Sequence, residues 1–101
     1  MIYKLVIPGP IEDVTEIRVL EWHGAENHTF TPGDLIVELE THKALIEIRA
    51  GQHGILRVVL CPEGAWEKIG APLAILSDDV RERLPTSPDD LAACQISFEI
   101  T

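Results

Sequence analysis

Lys43 is the residue of this sequence whose type and position best suit covalent chemistry. It lies in the segment Glu40–Ala44, which joins two stretches whose alternating apolar residues predict β-strands. The segment contains no glycine or proline, so we expect a turn built mainly from right-handed residues, such as type I. An exposed lysine amine, with a reference pKa of about 10.4, is mostly protonated at neutral pH. Acylation at this turn would therefore need an enzyme that supplies an activated acyl group and removes the proton.

Short β-strands are predicted along the chain up to Ser77, and residues typical of turns separate them. No segment before Ser77 has the periodicity of a helix. The spacing predicts an all-β fold, a flattened barrel or sandwich of two small antiparallel sheets. The predicted strands are residues 3–7, 15–22, 35–40, 44–49, 55–60 and 73–76.

A weak internal repeat appears when the sequence is shifted by 37 positions, so that Val19 meets Leu56 and Gly33 meets Gly70. Asn27 then falls opposite Gly64, and both residue types tolerate a positive φ. We interpret the repeat as two similar β units related by a pseudo-twofold, although chance matching of short apolar runs is the alternative. This symmetry would place the Lys43 turn at one end of the domain, with both chain ends leaving from the other.

The stretch from Val19 to Leu76 resembles the lipoyl domain of 2-oxo-acid dehydrogenase complexes. The family pattern around the modified lysine is Glu-Thr-Asp-Lys-Ala, and here the run is Glu40-Thr41-His42-Lys43-Ala44. Family members usually have a glycine 11 residues after that lysine, where this chain has Gly54, and another 16 residues before it, where this chain has Asn27. The remaining anchors of the resemblance are Gly33, Asp34, Glu38, Leu39, Glu47, Gly64, Gly70 and 72–75.

The resemblance implies a hammerhead-like β-barrel whose Lys43 carries covalent lipoate, with Glu40, Thr41, His42 and Ala44 as flanking recognition residues. It assigns Asn27, Gly33, Asp34, Gly54, Gly64 and Gly70 to structural turns. The implied partners are a lipoate ligase or lipoyltransferase, a 2-oxo-acid dehydrogenase and a dihydrolipoamide dehydrogenase. The lipoyl arm would carry acyl groups and electrons between their active sites. His42 stands where the family usually has an acidic residue that helps partner recognition, so the identity of the dehydrogenase stays open.

Three other assignments compete with a lipoyl carrier. One is a biotin carrier, but its Ala-Met-Lys-Met pattern is absent around Lys43. Another is an unmodified β-barrel that serves as an interaction module. An enzyme is the least favoured, because no nucleophile–base pair or phosphate loop stands out. The chain could be free-standing or the N-terminal domain of an acyltransferase component.

Composition excludes further classes of function. The formal net charge of −9 argues against nucleic acid and anionic lipid as partners. Cys61 and Cys94 are too few for a disulfide framework, and two free thiols are expected. The four histidines are dispersed, so we expect surface histidines and no metal site. With no signal peptide or membrane span recognised, we expect a cytoplasmic location, or the mitochondrial matrix in a eukaryote. We also expect the isolated domain to be a monomer.

We divide the chain into a carrier domain, residues 1–77, and an acidic tail, residues 78–101. Ser87 with Pro88 and two aspartates favours the start of a short helix. The alternation of residues 95–101 predicts an added edge strand. Nothing in the resemblance accounts for this tail.

Overall fold

The computed structural model describes residues 1–7, 9–85 and 87–100, and their regular structure consists of β-strands. The strands are β1 (Ile2–Val6), β2 (Glu16–Trp22), β3 (Thr29–Phe30), β4 (Leu35–Glu40), β5 (Leu45–Ala50), β6 (Gly54–Val59), β7 (Trp66–Lys68), β8 (Pro72–Ser77), β9 (Ala92–Ala93) and β10 (Ile96–Ile100). No helix in the described part of the chain is long and apolar enough to cross a membrane.

The strands form two five-stranded sheets, with the orders β3-β6-β8-β1-β9 and β10-β5-β4-β2-β7. The sheets pack face to face because alternate residues of each strand are apolar. In β5, for example, Ile46 and Ile48 are fully buried, whereas Leu45 is 46% exposed. The core is aliphatic apart from Phe30, and it includes both free thiols, Cys61 and Cys94. The predicted all-β sandwich is confirmed.

The 37-residue repeat is visible in the backbone hydrogen bonds. Asn27 N–H donates to Leu56 O (2.6 Å), and its counterpart Gly64 N–H donates to Val19 O (2.8 Å). The turn in which Asp34 N–H donates to Thr31 O recurs with Ala71 N–H donating to Lys68 O, each at 3.0 Å. The bonds from Asn27 and Gly64 each run from one unit to the other, so the two units stabilise each other. The predicted pseudo-twofold is therefore present.

Both units also contain a β-bulge at the same place. In the first unit it lies between Val19 and Glu21, where β2 pairs with β4. In the second it lies between Leu56 and Val58, where β6 pairs with β8. A bulge adds one residue to one strand and so reverses the face on which the following side chains lie.

The tail packs onto both sheets rather than extending away from them. β9 pairs with β1, and β10 pairs with β5. The edge strand lies at Ile96–Ile100, and Thr101 of the predicted strand is outside the described residues. The helix expected from Ser87 is wrong: Leu91 N–H donates to Pro88 O in a single turn, and the chain then extends into β9.

The position of the chain ends also differs from the expectation. Asp13, which follows the carboxyl end of β1, contacts Lys43, so Met1 at the amino end of β1 lies away from that hairpin. The last described residues return to it, because β10 runs antiparallel to β5 and brings Ile100 opposite Ile46. The reason is that the outer edge of β5 offers unpaired backbone groups, which β10 satisfies.

Two further details correct the sequence interpretation. The β1–β9 pair is parallel, so the sheets are not wholly antiparallel. The short strands β3, β7 and β9 were not predicted, since two or three residues carry no detectable alternation. The two tryptophans differ in setting: Trp66 is 52% exposed on β7, whereas Trp22 is partly buried and donates its Nε1–H to Cys61 O (3.0 Å).

Candidate functional site

The β4–β5 hairpin presents Lys43 at its turn. Thr41 N–H donates to Ala44 O (2.8 Å), which closes the turn. The Thr41 hydroxyl oxygen accepts from the backbone N–H groups of Lys43 (3.0 Å) and Ala44 (2.9 Å). These two bonds replace part of the backbone ladder that the turn interrupts. Neither His42 nor Lys43 has a positive φ, in agreement with the predicted right-handed turn.

The Lys43 side chain is 46% exposed and forms an ion pair at the surface. Its Nζ lies 3.0 Å from Oδ2 of Asp13, a residue 30 positions earlier in the loop between β1 and β2. Asp13 has a positive φ of 60°, and the turn that holds it is closed by Val14 N–H donating to Ile11 O (3.0 Å). Both partners are open to solvent, so the pair is weak, on the order of 0–1 kcal/mol. The two side chains can therefore be separated at little cost.

The flanking residues divide into those that face the solvent and those that shape the turn. His42 is exposed, and Glu40 is half-buried with its Oε1 3.1 Å from Arg18 Nη1. Thr41 is only 9% exposed. Because its hydroxyl is engaged with the backbone, Thr41 shapes the turn, and the exposed surface around the turn consists mainly of Glu40, His42 and Lys43.

Most of the expected turn residues do adopt turn conformations. The φ angles of Asn27, Gly33, Gly64 and Gly70 are 73°, 94°, 89° and 88°. Asp34 accepts from the backbone N–H of Thr31 (2.8 Å) and from its hydroxyl (3.0 Å). These bonds, the backbone one first, hold the pKa of Asp34 below its usual value.

Gly54 is different from this group. It is the first residue of β6 and pairs with Phe30, so the expectation that Gly54 is a turn residue is wrong. It is buried, and a Cβ at this position would lie 3.2 Å from Leu76 Cδ2. The glycine therefore permits close packing between β6 and β8 rather than an unusual backbone angle.

The other two lysines of the chain occupy different settings. Lys4 lies within β1, where its Nζ donates to Asp89 O (3.3 Å) in the tail. Lys68 lies at the end of the edge strand β7, paired in register with Glu16. Lys43 alone of the three stands at the turn of a hairpin.

Comparison with known proteins identifies the family of the chain. The sequence model of the biotinyl/lipoyl family, described as "Biotin-requiring enzyme", matches residues 4–76. The chain belongs to this family. The match ends one residue before the end of β8, so the tail strands β9 and β10 lie beyond it.

Three proteins to which this chain is similar are informative. The protein X component of the pyruvate dehydrogenase complex of Chaetomium thermophilum is 29% identical over 86% of the chain and 20% of its own length. The dihydrolipoyllysine-residue acetyltransferase component of the pyruvate dehydrogenase complex of Rickettsia conorii is 30% identical over 79% of the chain and 20% of its own length. The dihydrolipoyllysine-residue succinyltransferase component of the 2-oxoglutarate dehydrogenase complex of Staphylococcus saprophyticus is 31% identical over 74% of the chain and 18% of its own length. The chain thus spans about a fifth of each relative.

Sequence reasoning did not find two residues next to the site. Asp13 is distant along the chain and lies in a loop, so no periodicity connects it with Lys43. Arg18 lies in the strand predicted at residues 15–22, but its place opposite Glu40 depends on the register of that strand against residues 35–40. The register that decides this depends on the bulge after Val19, which has no clear signature in the sequence.

Proposed function

We propose that this chain is a lipoyl carrier domain in which lipoate is attached to Lys43 through an amide bond. The main support is the exposed amine at the turn of a rigid hairpin, within the run Glu40–Ala44, in a member of the biotinyl/lipoyl family. The domain itself is a non-catalytic support, and enzymes that meet it perform the chemistry.

The residues of the hairpin suit the attached group. The β4–β5 ladder and the hydroxyl of Thr41 fix the backbone at Lys43, whereas the lysine side chain is exposed and paired at the surface with Asp13 alone among the described residues. When bound, the lipoyl group would supply a dithiolane that accepts an acyl group and two electrons. The flexible tether would keep it at a high effective concentration near each partner active site.

We further propose a 2-oxo-acid dehydrogenase system as the setting, because the three relatives are named as components of such complexes. Both pyruvate and 2-oxoglutarate complexes are represented among them. His42 in place of the usual acidic neighbour leaves the choice of 2-oxo acid to experiment. Biotin is less favoured, since the names of two of these relatives refer to a dihydrolipoyllysine residue.

The test is a modification assay followed by a transfer assay. The domain is incubated with lipoate, ATP and a lipoate ligase, and in parallel with biotin, ATP and a biotin ligase. We expect lipoylation and no biotinylation of the native chain, and neither for Lys43→Arg. The lipoylated domain is then offered to a pyruvate and a 2-oxoglutarate dehydrogenase component. Acylation by one of them supports the carrier function, whereas a biotinylated product or failure with both contradicts it.

A further inference from the structure

Four glutamates form a row across the outer face of the sheet that carries Lys43. The strand register pairs Glu99 with Glu47, Glu47 with Glu38, and Glu38 with Glu21, one residue on each of four adjacent strands. Neighbouring strands lie about 4.8 Å apart, and like charges directly opposite one another are destabilising. Arg49 offsets part of the charge, with its Nη2 3.7 Å from Glu47 Oε1.

His23 supplies a nitrogen donor beside Glu21 and Glu38, at the end of the row away from Glu99. Its Nε2 lies 2.6 Å from Glu38 Oε1 and 3.7 Å from Glu21 Oε2. One donor atom from each of the three residues lies within 4.8 Å of the others. His23 and Glu38 are half-buried and Glu21 is exposed, so the cluster opens to solvent.

The bulge in β2 creates this cluster. Val19 pairs with Leu39, and regular pairing would then bring Leu20 opposite Glu38. The extra residue instead brings Glu21 opposite Glu38 on the outer face. The backbone N–H of His23 donates to Ile36 O (2.8 Å), which fixes the residue beside the two carboxylates.

The second unit of the repeat shows that the fold does not require these polar groups. Its equivalent bulge pairs Val58 with Ile75, and Leu60 stands where the first unit has His23. Leu60 N–H donates to Leu73 O (2.8 Å), as His23 does to Ile36. The same backbone therefore supports three aliphatic side chains in one unit and one imidazole with two carboxylates in the other.

We propose that Glu21, His23 and Glu38 bind a divalent transition-metal ion of the zinc class. Two carboxylates and a neutral imidazole carry a charge of −2, which a divalent cation balances, and so the repulsion between Glu21 and Glu38 is removed. The nitrogen donor selects Zn²⁺ over Mg²⁺ and Ca²⁺, which prefer oxygen ligands. Tetrahedral ligands at about 2.0–2.1 Å from zinc stand about 3.3 Å apart, so small side-chain rotations suffice.

Binding of ZnCl₂ to the tag-free, unmodified full chain tests the proposal by calorimetry. We expect one equivalent of Zn²⁺ to bind, and neither MgCl₂ nor CaCl₂ to bind with comparable affinity. His23→Gln and Glu38→Gln each remove one ligand and should weaken Zn²⁺ binding by about tenfold or more. The matched control is His53→Gln, which removes an exposed histidine outside the cluster and should leave the affinity unchanged.

A triple variant separates metal binding from folding. Glu21→Val, His23→Leu and Glu38→Ile together copy the second unit into the first. Without metal this variant should unfold at the same temperature as the native chain or higher, since the opposed carboxylates are gone. Saturating Zn²⁺ should raise the Tm of the native chain by about 5 °C or more and leave that of the variant unchanged. Absence of Zn²⁺ binding by the native chain, or an equal loss in His53→Gln, overturns the proposal.

Discussion

Asn27 and Gly64 are related by the pseudo-twofold, and each donates its backbone N–H to the opposite unit. Asn27 binds Leu56 O and Gly64 binds Val19 O, and the acceptors are themselves 37 positions apart. Both donors have a left-handed backbone, with φ angles of 73° and 89°. This reciprocal pair connects the two units just beside the bulges that shape β2 and β6.

Replacing Asn27 tests the importance of the left-handed backbone. Asn27→Ala should lower the free energy of unfolding by about 1 kcal/mol, because alanine resists this conformation. Asn27→Gly should be neutral or slightly stabilising, because glycine adopts it freely. Urea unfolding gives both values. Glu26→Ala is the control, and a loss there equal to that of Asn27→Ala would contradict the role of the backbone angle.

The hydroxyl of Thr41 should determine how rigidly the hairpin presents Lys43. Thr41→Val keeps the shape but removes the acceptor of two N–H groups, and we expect a loss of about 1–2 kcal/mol. Thr41→Ser should keep most of the stability. Chemical unfolding and the initial rate of lipoylation report the two effects. A fully stable, normally modified Thr41→Val would show that the turn does not need the hydroxyl.

The ion pair between Asp13 and Lys43 should restrain modification only slightly. Asp13→Asn keeps a residue that tolerates the left-handed φ but removes the charge. Because an exposed pair contributes about 1 kcal/mol at most, the rate of lipoyl attachment should rise by no more than about fivefold. The control is Glu12→Gln, an exposed neighbour. A large fall in the rate for Asp13→Asn would mean that the carboxylate takes part in recognition.

The pH dependence of stability should reflect carboxylates with lowered pKa values. Hydrogen bonds from Thr31 lower the pKa of Asp34, and those from Arg81, chiefly its side chain, lower the pKa of Asp79 to about 2. A folded-state pKa below the unfolded value favours the folded state above about pH 4, and this contribution is lost as the pH falls toward 2. The slope of stability against pH over that interval should be shallower for Asp34→Asn and Asp79→Asn. Slopes identical to that of the native chain would contradict the assigned bonds.

The sequence was sufficient for the features that depend on local pattern. Alternation in Leu45–Ala50 predicted which side chains are buried, and residue chemistry predicted the left-handed positions of Asn27 and Gly64. The motif around Lys43 identified the turn at which the structure places it. Each of these depends on neighbours in the chain or on a fixed spacing.

Features that depend on register or on distant contacts were missed. The contact between Asp13 and Lys43 arises from a loop whose course is decided by tertiary packing. The cluster at Glu21, His23 and Glu38 depends on the bulge after Val19, because a shift of one residue moves every side chain to the opposite face. A search for closely spaced histidines and cysteines could not find a site assembled across two strands.

Peptide mapping of the lipoylated chain tests the attachment to Lys43 most directly. The chain has three lysines, at positions 4, 43 and 68, so digestion and mass spectrometry can assign the modified residue. We expect the mass of one lipoyl group on the peptide containing Lys43, and an unmodified Lys43→Arg variant under the same conditions. Lipoyl on Lys4 or Lys68, or a Lys43→Arg variant that is still modified, would contradict the proposed function.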